Sequence, residues 1–208
     1  MNIKQRLLKI HFIQNYFRKQ RGWPSISNGP NGKSILVINP HWDDDILSCY
    51  GTLYNYSLRV TVTCMFNELG NPYLGRPYLE VPFHSIKLSH FDTIFLPAPW
   101  DDHPVHVQAS KINVPDNVTV WAFQNYLPID TNTVVDITAN IDEKIRMLKE
   151  VQKLVPGQRD WTHYALGRDA YSARHLHRND KRYAELFMVL RGKDYKTFRE
   201  EYFACCKS

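Results

Sequence analysis

Residues 34–45 read SILVINPHWDDD, and this stretch decides the fold. Residues 34–39 form a short, mostly β-branched run of the kind that fills a central parallel strand buried on both faces. Pro40 ends the run, and one histidine, one tryptophan and three aspartates follow it. In an open α/β sheet, ligands bind beyond the carboxyl ends of the strands, so this polar segment lies where a site is expected.

Further apolar runs recur along the chain with helical or loop segments between them. The predicted strands are residues 34–39, 59–65, 92–96, 118–123 and 133–137, and the predicted helices are residues 45–56, 83–88, 106–111, 141–155, 182–190 and 195–205. This alternation predicts an α/β fold with a mainly parallel central sheet and helices on both faces, a Rossmann-like three-layer arrangement.

The amino-terminal residues 1–21 differ in character from the rest of the chain. Apolar side chains recur there at an approximately helical period among lysines and arginines, which predicts an amphipathic basic helix. Such a helix packs either on its own domain or a twin subunit, or on an anionic membrane surface. Residues 22–33 are rich in Pro, Ser, Asn and Gly and predict a loop, so the single domain is expected over residues 34–208.

Composition excludes several classes of protein. The chain has 208 residues with 26 basic and 21 acidic side chains, a net charge of +5, and the basic residues are scattered rather than gathered into a nucleic-acid-binding patch. No apolar run approaches the roughly 18 residues of a membrane span. Four cysteines form no metal-finger spacing or disulfide framework, and no signal peptide is visible, so a cytoplasmic protein is expected.

A second polar segment follows the predicted strand at residues 92–96. Residues 101–106 read DDHPVH and place two more imidazoles at a strand end. Two strand ends can converge on one ion, and two histidines with one carboxylate and a water form a frequent catalytic zinc site. The alternative is that the acids at residues 43–45 only cap a helix and that His41 is a turn residue.

These segments resemble the PIG-L/LmbE-like family of zinc-dependent N-deacetylases, whose signatures are PHPDDE after the first strand and HPDH later. Here they read PHWDDD and HPVH. The resemblance continues in LSCYGTL at residues 47–53, in PIDTNTVVDITANIDEK at residues 128–144 and in YAELF at residues 183–187. It covers residues 35–190, in order.

The resemblance implies a role for each matching residue. His41, Asp44 and His106 would bind one Zn²⁺, although the same ligands accept other divalent metals. Asp43 would be the general base, and His103 would face the developing oxyanion. The implied reaction is removal of an N-acetyl group from a sugar or sugar conjugate, with peripheral membrane contact and homo-oligomerisation left open.

Three departures from the family pattern bear on this expectation. Val105 stands where the family has an aspartate that orients the neighbouring histidine, and Asp101 or Asp102 would have to replace it. Trp42 replaces a proline and either stacks on a sugar ring or has a structural role. Tyr50 replaces a glycine, which would narrow the pocket.

Two other interpretations remain open. The substrate could be a different amide, such as a thiol conjugate or an antibiotic precursor, or the chain could be a non-catalytic relative that keeps the metal. Weaker candidates are a Gly-rich stretch at residues 29–34, which we interpret as a loop, and Glu68, which lies beyond a strand end. The basic cluster of His163, His175, His177, Arg168, Arg174 and Arg178 is interpreted as a solvated face.

Overall fold

A computed structural model of the chain describes residues 3–18, 24–66, 75–126, 129, 131–155, 157, 160–177, 180 and 182–205. Within this part of the chain, one eight-stranded sheet is flanked by helices on both faces. The predicted three-layer α/β class is therefore confirmed. No helix of the described part is long and apolar enough to cross a membrane.

The central sheet is parallel except for one strand. Its strands lie in the order β1-β7-β8-β6-β5-β2-β3-β4, and only β8 runs antiparallel to its neighbours β6 and β7. The strands are β1 (Ser25–Ser27), β2 (Ile35–Asn39), β3 (Val60–Cys64), β4 (Leu79–Glu80), β5 (Thr93–Pro97), β6 (Thr119–Phe123), β7 (Thr133–Asp136) and β8 (Ala184–Arg191). The sequence therefore places the polar segments after β2 and β5, two strands that pair side by side.

Seven α-helices occur in the described residues. They are α1 (Ile3–Arg18), α2 (Asp44–Ser48), α3 (Tyr50–Leu53), α4 (Pro104–Ala109), α5 (Ile141–Leu154), α6 (Trp161–Ser172) and α7 (Gly192–Cys205). Short 3₁₀ segments occur at Tyr54–Arg59, Phe83–Ser85, Leu88–His90, Thr138–Asn140 and Ala173–Leu176. The predicted helix at residues 83–88 is thus replaced by two single 3₁₀ turns.

The two faces of the sheet carry separate hydrophobic cores. Strand side chains alternate between the faces, so Ile35 and Val37 pack in one cluster while Leu36 and Ile38 pack in the other. The first cluster is covered by α2, α3, α5 and α6, and the second by α1 and α7. This two-sided burial explains why β2 is a continuous apolar run.

Helix α1 packs against α7 through aromatic side chains. Phe17 is fully buried, and the Phe12 ring lies 5.8 Å from that of Phe198. The apolar face of the amino-terminal helix is therefore covered by the chain itself. Leu7 and Leu8, near the start of the helix, are exposed.

A second predicted helix is also wrong. Residues 182–190 were expected to be helical, but β8 occupies Ala184–Arg191 and lies between β6 and β7. The apolar run LFMVL suits either a buried helix or a strand buried on both faces, and the sheet decides between them. Phe187 packs on one face and Met188 on the other, so both faces of β8 are occupied.

Candidate metal centre

Two neighbouring strand ends bring the candidate ligands together. His41 follows β2, Asp44 is the first residue of α2, and His106 lies in α4, which follows β5. Because β2 and β5 are parallel and paired, their carboxyl ends open at the same edge of the sheet. The ligands are therefore positioned by rigid elements and not by one long loop.

The ligating atoms of His41, Asp44 and His106 form a compact triangle. His41 Nδ1 lies 3.1 Å from His106 Nε2. One carboxylate oxygen of Asp44, Oδ2, lies 3.4 Å from His41 Nδ1, and the other, Oδ1, lies 3.3 Å from His106 Nε2. Tetrahedral zinc with metal–ligand distances of about 2.0–2.1 Å separates its ligand atoms by about 3.3–3.4 Å. The three groups therefore fit one divalent ion.

The partner of His106 on the far side of the ring is a carboxylate. Asp101 Oδ2 lies 2.9 Å from Nδ1 of His106, a contact that favours a proton on Nδ1. The lone pair on Nε2 then faces the His41 ring nitrogen and the Asp44 carboxylate. Histidines that bind metals commonly donate their other ring N–H to a carboxylate, as here. The arrangement is therefore compatible with a metal site.

Asp44 is held in place from two sides. Its Oδ2 accepts a hydrogen bond of 2.6 Å from the backbone N–H of His41. Its Oδ1 accepts one from the side-chain amide of Asn125, which follows β6. Asp44 is almost fully buried, so both oxygens are directed by the protein rather than by solvent.

His103 lies at the edge of the triangle. Its ring stands 4.8 Å from the His41 ring, and the nearest ligating atoms of His41, His103 and His106 fall within 4.8 Å of one another. Burial, and then the neighbouring His106 and His41, lower the pKa of His103 and disfavour the charged imidazole. Its Nδ1 is buried without a hydrogen-bond partner among the described residues.

Asp101 does not take over the orienting role expected for position 105. Its Oδ2 contacts His106, and its Oδ1 accepts a hydrogen bond of 3.0 Å from the backbone N–H of His103. The carboxylate therefore orients a ligand ring and the backbone before α4, and it leaves the His103 ring unsupported.

Asp43 precedes α2 and is partly buried at the wall of the cavity. Burial, followed by the charge of Asp44, raises the pKa of its carboxyl to about 7. Its side chain makes no capping hydrogen bond to α2, so the sequence-based alternative of a simple helix cap does not describe it.

A cavity of about 250 Å³ is lined by His41 and Asp44 of the triangle, and no lysine or arginine lines it among the described residues. Its walls combine polar side chains with aromatic and aliphatic ones. They are formed by His41, Trp42, Asp43, Asp44, Leu47, Phe66, His103, Tyr126, Val155 and Trp161. Trp42 is 7% exposed and belongs to the hydrophobic core, which favours the structural role over a rim position. Tyr50 is fully buried and does not reach the cavity.

A wider groove of about 550 Å³ lies at the other edge of the sheet, near the starts of β5, β6 and β7. Its described lining consists mainly of hydroxyl and amide side chains and contains no histidine or cysteine. The candidate metal ligands therefore lie away from this groove.

Several residues of the site escaped the sequence analysis. Asn125, Tyr126 and Trp161 reach it from β6 and α6, far along the chain from the two motifs, and no spacing pattern marks them. Arg168, interpreted as part of a solvated face, is instead 9% exposed, whereas His163 is indeed exposed. Glu68 and Pro128 lie outside the described residues.

Comparison with known proteins gives a likeness in fold alone. No family model and no curated protein matches the sequence. The conserved protein TT1542 from Thermus thermophilus is similar with a TM-score of 0.54 at 18% identity, covering 74% of this chain and 93% of that one. An N,N'-diacetylchitobiose deacetylase from Pyrococcus horikoshii is similar with a TM-score of 0.53 at 16% identity, covering 94% and 95%.

Proposed function

We propose that the chain is a metal-dependent hydrolase that removes an N-acetyl group from a sugar or sugar conjugate. The observation that carries the proposal is the triangle of His41, Asp44 and His106, with side-chain atoms 3.1–3.4 Å apart. It lies beside a cavity that His41, Asp43 and Asp44 line. The likeness in fold to a diacetylchitobiose deacetylase supports the reaction class.

Zinc is the metal we propose, because two imidazoles and one carboxylate leave a fourth position open, as catalytic zinc sites do. The same ligands suit iron or cobalt, so elemental analysis decides the identity. A bound divalent ion would supply polarisation of the attacking water and of the acyl carbonyl.

Asp43 and His103 would act on either side of the amide. Asp43 would take a proton from the attacking water and return it to the amine nitrogen as the carbon–nitrogen bond breaks, which releases acetate and a free amine. His103 borders the cavity beside His41, where a donor could stabilise the oxyanion. With a lowered pKa, it would do so as a neutral N–H donor.

The walls of the cavity support a sugar ring as the group that carries the amide. Tyr126 and Trp161 stand with ring centroids 6.1 Å apart and present aromatic surface to the cavity. The apolar C–H face of a pyranose packs well on such surfaces. A cavity of about 250 Å³ is of a size that suits one monosaccharide unit.

The test is acetate release from a panel of substrates by metal-loaded protein. The panel holds N-acetylglucosamine, N,N'-diacetylchitobiose, a nucleotide-linked N-acetyl sugar and an N-acetylated thiol conjugate. We expect one of the sugar substrates to show the highest kcat/KM of the panel. Preference for the thiol conjugate would replace the substrate class, and bound metal without release from any amide would favour a non-catalytic relative.

A further inference from the structure

Arg168 is a buried arginine on α6 whose guanidinium joins three elements around the candidate metal centre. It donates to the backbone oxygens of Gln124 at 2.7 Å and Asn125 at 3.3 Å, both beyond the end of β6. It also donates to the backbone oxygen of Leu47 in α2. One rigid, planar side chain thus fastens the segment after β6 to the helix that carries Asp44.

The charge of Arg168 is balanced inside the protein. Its Nε and one terminal nitrogen lie 3.1 and 2.9 Å from Asp169 Oδ1, and Asp169 Oδ2 lies 2.7 Å from the ammonium of Lys144. Lys144 in turn contacts Glu185 of β8 at 2.5 Å, and Glu185 accepts backbone N–H groups of α3. Burying four ionised groups is costly and contributes little net stability. A positional role would account for the arrangement.

Asn125 connects this network to the ligands. It is 2% exposed, its amide donates to Asp44 Oδ1, and the same nitrogen lies 3.3 Å from His106 Nδ1. Its backbone oxygen is one of the acceptors that Arg168 holds. The side chain that directs Asp44 is therefore anchored through its own main chain by the guanidinium.

We propose that Arg168 is a positioning residue for the metal centre and that it acts through Asn125. The guanidinium fixes the segment after β6 against α2, so that the amide of Asn125 holds Asp44 in its ligating orientation. This inference rests on the metal site of the proposed function. It adds two residues that touch neither metal nor substrate.

Zinc affinity, measured by competition with a chromophoric chelator at a temperature well below unfolding, tests the proposal without any substrate. Arg168→Lys keeps the charge beside Asp169 but cannot span all the carbonyl groups, and Asn125→Ala removes the amide. Each is expected to weaken zinc binding about ten- to hundredfold, as the loss of a partner that orients a ligand does. Arg146→Lys, which changes an exposed arginine on α5, is the matched control and is expected to bind zinc as the wild type does.

The zinc affinity of the double variant shows whether Arg168 acts through Asn125 or whether the two substitutions disturb the site independently. If Arg168 acts through Asn125, adding Arg168→Lys to Asn125→Ala costs less than about a further twofold in zinc affinity. The proposal would be overturned if the fold-losses in zinc affinity of the two single variants multiply in the double variant. Wild-type zinc affinity in Arg168→Lys would also overturn it. If Arg168→Lys does not fold, Asp169→Asn takes its place in the cycle with the same two outcomes.

The outcome is separable from that of the proposed function. If the wild-type chain binds zinc but releases no acetate, the proposed deacetylase function is refuted. The double-mutant cycle of Arg168→Lys and Asn125→Ala then still tests the positioning role. Unchanged zinc affinity in both single variants refutes the positioning role and leaves the deacetylase standing. A wild-type chain that takes up no divalent metal overturns both.

Discussion

The Nδ1 atom of His106 lies 2.9 Å from Oδ2 of Asp101, and this contact turns Nε2 of the same ring towards His41 and Asp44. Asp101 is almost fully buried, so water cannot replace its carboxylate easily. The aspartate before the HPVH motif thus orients a candidate metal ligand.

The first prediction concerns this contact. Asp101→Asn keeps the size of the side chain but weakens the acceptor for the His106 N–H, so zinc affinity should fall about ten- to hundredfold. Competition with a chromophoric chelator measures the change. Asp102→Asn, one residue along the chain and exposed, is the control. Equal zinc affinity in the two variants would show that Asp101 does not orient the ring.

The second prediction separates the base from the ligands. Asp43→Asn should lower kcat about 10²- to 10⁴-fold while one equivalent of zinc remains bound, because Asp43 lies outside the triangle of ligand atoms. His41→Ala and His106→Ala should lose the zinc as well. Elemental analysis and acetate release, measured on the same preparations, check both parts. Full turnover in Asp43→Asn would remove the carboxylate from the mechanism.

The third prediction concerns His103, whose Nδ1 has no hydrogen-bond partner within the described part of the chain. Val105 lies two residues further on, in the first turn of α4, and is partly buried. A carboxylate introduced there, Val105→Asp, should orient the imidazole and raise kcat about three- to tenfold. Val105→Asn controls for polarity without charge. If kcat of Val105→Asp stays at or below the wild-type value, orientation of His103 does not limit the reaction.

The fourth prediction concerns stability. Lys144 is fully buried between Asp169 and Glu185, so Lys144→Met leaves two carboxylates without their shared cation. The free energy of unfolding should fall by about 3–5 kcal/mol in urea titrations. Lys153→Met, on the same helix but 68% exposed, should change it by less than about 1 kcal/mol. Similar losses in the two variants would argue against a buried charge network.

The chain's own sequence was enough to predict the edge of the sheet where the site lies. The run at residues 34–39 predicts β2 because it must face apolar neighbours on both sides, and the structure places a helical layer on each face. The polar residues that follow β2 and β5 were expected to meet, and they do so because the two strands pair in parallel. The local sequence pattern is enough to predict a strand when both its apolar run and the polar residues that end it are visible in the sequence.

Other features depend on contacts between distant residues. Asn125 directs Asp44 across 81 positions of sequence, and an asparagine after a strand carries no mark of such a partner. Arg168 looks like a surface arginine in a polar stretch until the structure shows the buried carboxylate of Asp169, which balances its charge. The apolar run of β8 fits a helix equally well, and only its position between β6 and β7 decides for a strand.

The most direct test of the central claim is acetate release from N,N'-diacetylchitobiose, followed continuously as the metal is removed and restored. We predict release by the zinc-loaded protein, its loss on adding a zinc chelator, and its recovery when zinc is added in excess of the chelator. Release that continues at full rate after the chelator has removed the metal would contradict a metal-dependent deacetylase built on His41, Asp44 and His106.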